Sequence, residues 1–169
     1  MSNIKGLSEF TRKVDALANA HNRLPDEVAA IAVRFTKNRF TQQDWYDQSR
    51  EPWKPLKRKR TGRKSQTILV RTGRLKRSYR KIYADSKKVI LGSDVPYAQI
   101  HNDGGTITKT ANVRSHKRKT RSGRVTTVKS HKRKMNTTIP KRQFSGPSER
   151  LEREIFLHIE TQFENALKK

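Results

Sequence analysis

Apolar residues recur every three or four positions near the start of the chain, at Ile4, Leu7, Phe10, Val14 and Leu17. That spacing puts them on one stripe of an α-helix, with Ser8 as its cap and an end near Ala20. Asn22 and Pro25 mark a break. Pro25-Asp26-Glu27 then reads as the first turn of a second helix, because proline fits there and the acids sit at the positive end of the helix dipole. Val28, Ile31, Ala32, Phe35 and Phe40 line its buried face to about Gln42, with Arg34, Lys37 and Arg39 on the polar side. A last helical stripe follows Pro147-Ser148-Glu149, where Ser148 is the candidate cap. Leu151, Ile155, Ile159 and Phe163 form that stripe, and Glu149, Glu152, Glu154, Glu160 and Glu164 supply most of an acidic face.

Between these helices the apolar period shortens to two. Thr67 to Val70 is short and β-branched, as a strand would be, and Arg71-Thr72-Gly73 ends it in a turn. From Leu75 to Tyr83 the apolar side chains Tyr79, Ile82 and Tyr83 are interleaved with Arg and Lys. Val89 and Leu91 against Ile90 mark another strand. Gly92, Ser93, Asp94 and Pro96 interrupt it, Tyr97, Ala98 and Ile100 restart an apolar run, and His101 to Gly105 close a second turn. This is a framework that holds a side chain such as His101 in place. Upstream, Asp44 to Pro55 is a loop carrying Trp45, Tyr46 and Trp53, and Trp53 is expected to tie that loop onto the body. Ile139-Pro140 returns the chain to the body, with Phe144 dropping into the core.

Four pieces in this order resemble the phage virion morphogenesis family, the tail completion proteins. They are Trp53-Lys54-Pro55-Leu56; Leu69 with Thr72-Gly73-Arg74-Leu75 and Ser78; Leu91-Gly92-Ser93 through Pro96-Tyr97-Ala98, Ile100-His101 and Gly104-Gly105; and Ile139-Pro140 with Arg142 and Phe144. Asn102-Asp103 stand where the family has Gln-Phe, and a long basic insert follows Gly105. The resemblance implies a small α+β subunit in which a strand from about Leu75 to Ala84 pairs antiparallel with Lys88 to Gly92. Asp85-Ser86-Lys87 is then the hairpin turn, and the N-terminal and C-terminal helices pack the sheet. It assigns motif roles to Trp53, Thr72, Gly73, Leu75, Tyr97, His101, Gly104 and Phe144.

Composition changes the picture chiefly through charge. At 169 residues the chain suits one domain, 1–169, with a modest core. No cysteine is present, so disulfides and thiolate metal sites are excluded. No apolar run approaches the roughly 20 residues that span a bilayer, and the start MSNIKGLSEF lacks the apolar stretch of a signal peptide. The net charge is +25. Of the 40 basic residues, 13 lie in 54–81 and 13 in 106–142, stretches without a single acid, which leaves 14 for the rest of the chain against all 15 acids. A nearly neutral body therefore carries two cationic stretches, the arrangement that favours a polyanionic partner.

The first stretch begins as a basic loop, 54–66, with Lys57, Arg58, Lys59, Arg60, Arg63 and Lys64. Gly62-Arg63-Lys64-Ser65 lacks the glycine spacing and upstream strand of a Walker motif. The second, the insert 106–138, contains a repeat. Val113-Arg114-Ser115-His116-Lys117-Arg118-Lys119 is echoed by Val128-Lys129-Ser130-His131-Lys132-Arg133-Lys134. Arg121-Ser122-Gly123-Arg124 lies between the copies as a hairpin tip, with strand-forming threonine and valine around it. A protruding basic β-hairpin follows, flexible when free and settling against a partner, since so little apolar surface cannot offset its ordering entropy.

Chemistry beyond charge is sparse. His116 and His131 stand among cations that repel a metal dication, with no carboxylate or thiol nearby. His101 with Asp103 is the one pair resembling an acid–base set, and two residues in a turn do not supply the geometry. The simpler role for His101 is a hydrogen bond that orders the Gly104-Gly105 turn. No catalytic residue, metal or cofactor is expected, and no membrane partner. The resemblance implies a structural protein of the phage neck, forming a ring of about six or twelve copies at the head–tail junction. Its partners would be further copies of itself, portal or adaptor, tail terminator or tail-tube proteins, and packaged DNA. Its place would be the virion, and the host cytoplasm during assembly. The rival expectation is a free nucleic-acid-binding module, ribosomal-protein-like, which accounts for the charge but leaves the Trp53 and Tyr97–His101 motifs without a role.

Overall fold

A computed structural model describes residues 2–56 and 67–168, with side chains from Gly6 onward. The fold is α+β. Its first element, α1, is a single 41-residue helix, Ser2–Gln42, with Pro25 inside it. The expected break at Asn22–Pro25 is therefore absent, and Ser8 lies within the helix rather than capping it. Proline removes one ladder bond, but the side chains around it carry the helix through. Leu24 and Ala29 are buried, and Arg23 pairs with Glu27 at 3.0 Å. The last helix, α4 (Glu149–Leu167), packs along the C-terminal half of α1. Arg34 meets Glu154 at 2.8 Å and Glu27 meets His158 at 2.8 Å, so the two helices run antiparallel. Burial against α4 outweighs the local preference for a stop.

Equal rise on both helices brings the end of α4 level with about Ala18 of α1. Beyond that point the stripe that buries Leu24, Ile31 and Phe35 continues uncovered: Leu7, Phe10 and Val14 are 66%, 65% and 45% exposed. At its other end α1 stops at Gln43, which adopts the left-handed conformation (φ 61°) and donates its backbone N–H to Arg39 O at 2.7 Å. Ser148 caps α4 as expected, accepting from Leu151 N at 3.2 Å and donating to Tyr46 O at 2.7 Å.

The described strands form four separate antiparallel pairs rather than one sheet. β1 (Asp44–Tyr46) pairs with β2 (Arg50–Pro52), and β3 (Arg80–Ala84) with β4 (Val89–Gly92). The turn between β3 and β4 is the expected one: Asp85 Oδ1 accepts from the N–H groups of Lys87 and Lys88 at 2.8 and 2.7 Å. Two expectations here need correction. Leu75 opens a short helix, α2 (Arg74–Ser78), not a strand. Gly73 enters it at φ 66°, and Ser78 Oγ donates to Leu75 O at 2.8 Å. Thr67–Val70 is likewise a turn, closed by Val70 N on Thr67 O, with Leu69 at φ 61° and packed against the core. Burial of Ile68 and Leu75 decides both cases over strand propensity.

The core gathers around Phe40, which is fully buried, with Trp53, Ile68, Leu75, Tyr79, Val95 and Phe144. Trp53 stands edge-on to Phe40 at 5.6 Å and donates its Nε1–H to Gln143 O at 2.8 Å, which ties its loop to the body. Phe144 packs on Phe40 at 4.9 Å. Arg39, expected on the polar side of its helix, is buried instead. Its guanidinium lies 4.8 Å above the Phe35 ring and donates to Asp44 Oδ1 at 2.7 Å.

Candidate polyanion-contact site

The insert pairs with itself. β5 (Gly105–Val113) runs against β8 (His131–Ile139), and β6 (His116–Lys119) against β7 (Val125–Val128). Thr120 N donates to Arg124 O at 2.8 Å, and Gly123, at φ 84°, turns the tip. Arg121 and Arg124 stand in this turn. Thr106 Oγ1 and Thr138 Oγ1 share a hydrogen bond across the lower ladder, and Thr108 donates to Asn136 Oδ1 at 3.0 Å.

The register explains the repeat. Val113 faces His131 and His116 faces Val128, so the same register continues across a short break in which Arg114-Ser115 lies opposite Lys129-Ser130. In each copy the histidine Nδ1 bonds the carbonyl two residues back, to Arg114 O at 3.0 Å and to Lys129 O at 2.9 Å. The repeated Val-basic-Ser-His unit thus makes the same local bend on both strands. Beyond the bend each cationic run meets a neutral one. Lys117, Arg118 and Lys119 face Thr127, Thr126 and Val125, while Lys132, Arg133 and Lys134 face Asn112, Ala111 and Thr110. No Lys or Arg of either run stands opposite another, which avoids the direct like-charge pairing that weakens ladders. All six of these cations are exposed.

The foot of the ladder is fixed to the body by α3 (Ala98–Asp103). Gly104 follows it at φ 75°, and a Cβ there would sit 2.7 Å from Lys141 N, so only glycine lets the outgoing and returning strands approach. Arg142 N donates to His101 O at 2.9 Å, and Asn102 Oδ1 accepts from both Phe144 N and Ser145 N at 3.0 Å. The His101 ring does not bond the glycine turn as expected. Its Nδ1 is buried with no hydrogen-bond partner among the described residues, and the ring stands perpendicular to Tyr97 at 5.8 Å. The turn is ordered through backbone, by Gly104 N on Ile100 O. Burial, and secondarily the charge of Arg142, lower the His101 pKa, so the ring stays neutral near pH 7. Asp103 bonds Asn102 rather than His101.

Arg142 links the two basic stretches. Its guanidinium donates to Lys54 O through Nε at 3.2 Å and Nη2 at 3.0 Å, joining the start of the first stretch to the end of the second. Lys57, Arg58, Lys59, Arg60, Arg63 and Lys64 lie outside the described residues. Among the motif residues, Trp53, Leu75 and Phe144 are core, Thr72 and Gly73 form the entry to α2, and Tyr97, His101 and Gly104 belong to the ladder's foot.

One cluster was not foreseen from the sequence. The Tyr46 ring has the guanidinium groups of Arg39, Arg50 and Arg150 at 5.6, 5.2 and 5.8 Å, beside the Arg39–Asp44 pair. Three arginines far apart in sequence meet there because α1, β2 and the start of α4 converge, a juxtaposition that no local pattern encodes. Among the described residues no three His, Asp or Glu side chains converge in a group able to hold a metal ion. Nor is any helix long and apolar enough to cross a membrane.

Comparison with curated proteins and with solved structures gives no match. A family model does match, over residues 3–164, and so takes in both long helices, the core motifs and the foot of the ladder together. That match covers nearly the whole chain, and the chain belongs to the phage virion morphogenesis family.

Proposed function

We propose that this protein is a structural neck or tail-completion component, assembling as a ring at the head–tail junction and performing no catalysis. Membership of a virion morphogenesis family supports a structural role in the phage particle. The observation that carries ring assembly is the uncovered stripe on α1. Leu7, Phe10 and Val14 continue a buried seam past the end of α4, and an apolar helix face left in water favours a further helix. The ring wall is built from α1, α4 and the core. The ladder, with Arg114, Lys117 to Lys119, Arg121, Arg124, Lys129 and Lys132 to Lys134, stands clear of the wall. It reaches toward packaged DNA or acidic surfaces of portal, adaptor or tail proteins, and the cations of 54–66 are proposed for the same partners. A subunit at +25 repels its copies, so an anionic partner stabilises the ring.

Replacing Leu7 and Phe10 together by Asp tests the assembly. The variant is expected to keep wild-type thermal stability within about 0.5 kcal/mol, because both sites are exposed. It should elute as a monomer where the wild type forms a larger species by light scattering and electron microscopy. In phage, particles lacking the protein should accumulate filled heads and unjoined tails. Normal infectious yield without it would end the proposal.

A further inference from the structure

We infer that the insert ladder binds double-stranded DNA by lying in its major groove, each edge of the ribbon set against one phosphate wall. This rests on the assembly reading only in naming which of the anionic partners the ladder meets.

Three features of the ladder point to a groove rather than a flat acidic surface. The first is exposure. A ribbon packed on a body shows alternating buried and exposed positions, yet β6 is exposed at all four residues, β8 at every residue from His131 to Thr138, and β5 and β7 everywhere but at Ala111, Val113 and Val128, which are half-buried. Both faces of the ribbon are therefore open. The second is the distribution of charge between faces. Side chains alternate along a strand, so Lys117 and Lys119 point to one face and Arg118 to the other. Lys132 and Lys134 are divided from Arg133 in the same way. A partner with one flat acidic face would neutralise only half of them. The third is distribution between edges. One cationic run lies on β6 and the other on β8, the two opposite strands of a two-stranded ribbon, with the neutral runs on the remaining halves. Along the ladder the centres of the runs, Arg118 and the Arg133 row at Ala111, are staggered by about seven positions, roughly 23 Å.

A body with anions on two sides, separated by the width of a ribbon, is the major groove. It is about 12 Å wide and admits a two-stranded β-ribbon. Single-stranded nucleic acid offers one phosphate row, and the ladder carries no Phe, Tyr or Trp on which its bases would stack, while the His116 and His131 rings are held to the backbone through Nδ1. The side chains facing the two cationic runs are Thr, Val, Ala and Asn, small enough for close approach to the groove floor. Contacts are to phosphate and so insensitive to sequence. Among the described residues these strand segments pair with no other sheet, and the absence of acid from the whole insert removes any internal competitor for the cations.

The test uses the full-length protein and a mixed-sequence duplex of about three helical turns, with the matching single strand and poly-glutamate as competitors. Two triple variants, K117Q/R118Q/K119Q and K132Q/R133Q/K134Q, and their combination, are compared by fluorescence anisotropy across salt concentrations. The wild type should prefer duplex at least tenfold over both competitors. Each triple variant should lower duplex affinity tenfold or more and make the log-affinity against log-salt slope shallower by about 3, the loss expected for three phosphate contacts. Dimethyl sulfate should show guanine N7 protected in the bound duplex, and a minor-groove ligand should not displace the protein. Equal affinity for poly-glutamate, equal affinity for the single strand, an unchanged salt slope in the combined variant, or displacement by the minor-groove ligand would each overturn the inference. The combined variant is also examined for rings. Rings without duplex preference defeat the groove alone, whereas duplex preference without rings defeats the assembly proposal alone.

Discussion

The body and the insert ladder are held together by different forces. In the body, Phe40, Trp53, Tyr79 and Phe144 meet ring to ring out of contact with water, and even the arginine there, Arg39, is matched to a buried carboxylate. Burial lowers the Arg39 pKa, and Asp44 opposes that shift without cancelling it. In the ladder scarcely any side chain is buried. Backbone pairing, threonine and asparagine bonds, and the avoidance of facing cations take the place of a core. Buried cations of the body are met by a carboxylate, as Arg39 is by Asp44, or by a carbonyl, as Arg142 is by Lys54 O, whereas the runs of the ladder face neutral residues. The same residue type therefore has two meanings in one chain. Arg39, buried against Asp44, is architecture, while Arg133, in the Lys132-Arg133-Lys134 run on β8, is exposed surface.

The contrast can be broken first at the core. Phe144→Ala removes a ring buried to 2% exposure and should cost about 3–5 kcal/mol in denaturant unfolding. It should also loosen the ladder's foot, since Asn102 is bonded to the backbone of that residue. Loss of hydrogen-exchange protection at Gly105 to Ile107 would report it. A ladder unaffected by that loss would be self-supporting, contrary to the description given for its foot.

A smaller effect sharpens the charge rule. Thr127→Lys puts a cation directly opposite Lys117. It should weaken β6–β7 pairing by about 0.2–1 kcal/mol, seen as faster amide exchange there at low salt and recovered at high salt. Global unfolding should not move. Thr127→Gln serves as the control for size.

The smallest expected effect is at the junction. The folded-state pKa of His101 is lowered from its ordinary value, so the fold favours the neutral ring. Its contribution to stability is complete above the ordinary histidine pKa of about 6.5 and is lost as pH falls below it, toward the lowered folded value. Unfolding curves of wild type and His101→Gln should therefore converge as the pH drops from 7 to 5. Curves that stay parallel would remove His101 from the account.

How much of this was legible beforehand follows from how local each signal is. Ser148, the Asp85 turn, the Trp53 anchor and the tip around Gly123 are read within a few residues, and each stands where the pattern puts it. Signals that depend on distant partners misled or stayed silent. Pro25 is a genuine local stop that packing against α4 overrides, and Leu75 alternates like a strand yet is drawn into α2 beside the core. Arg39 lies on what looks like a polar face until Asp44 and Tyr46 close over it. The meaning of the Val-basic-Ser-His repeat needed the register, because only pairing shows that a cationic run always meets a neutral one.

The hydrogen bonds from Arg142 to Lys54 and from Trp53 to Gln143 have a mechanical consequence. A pull along the ladder enters the body where α3 grips the returning strand, and from there passes through Phe144 and Trp53 to Phe40 on the longest helix. Tension on the ladder is thereby delivered to α1, and through Arg142 it also reaches Lys54, the root of the first basic stretch.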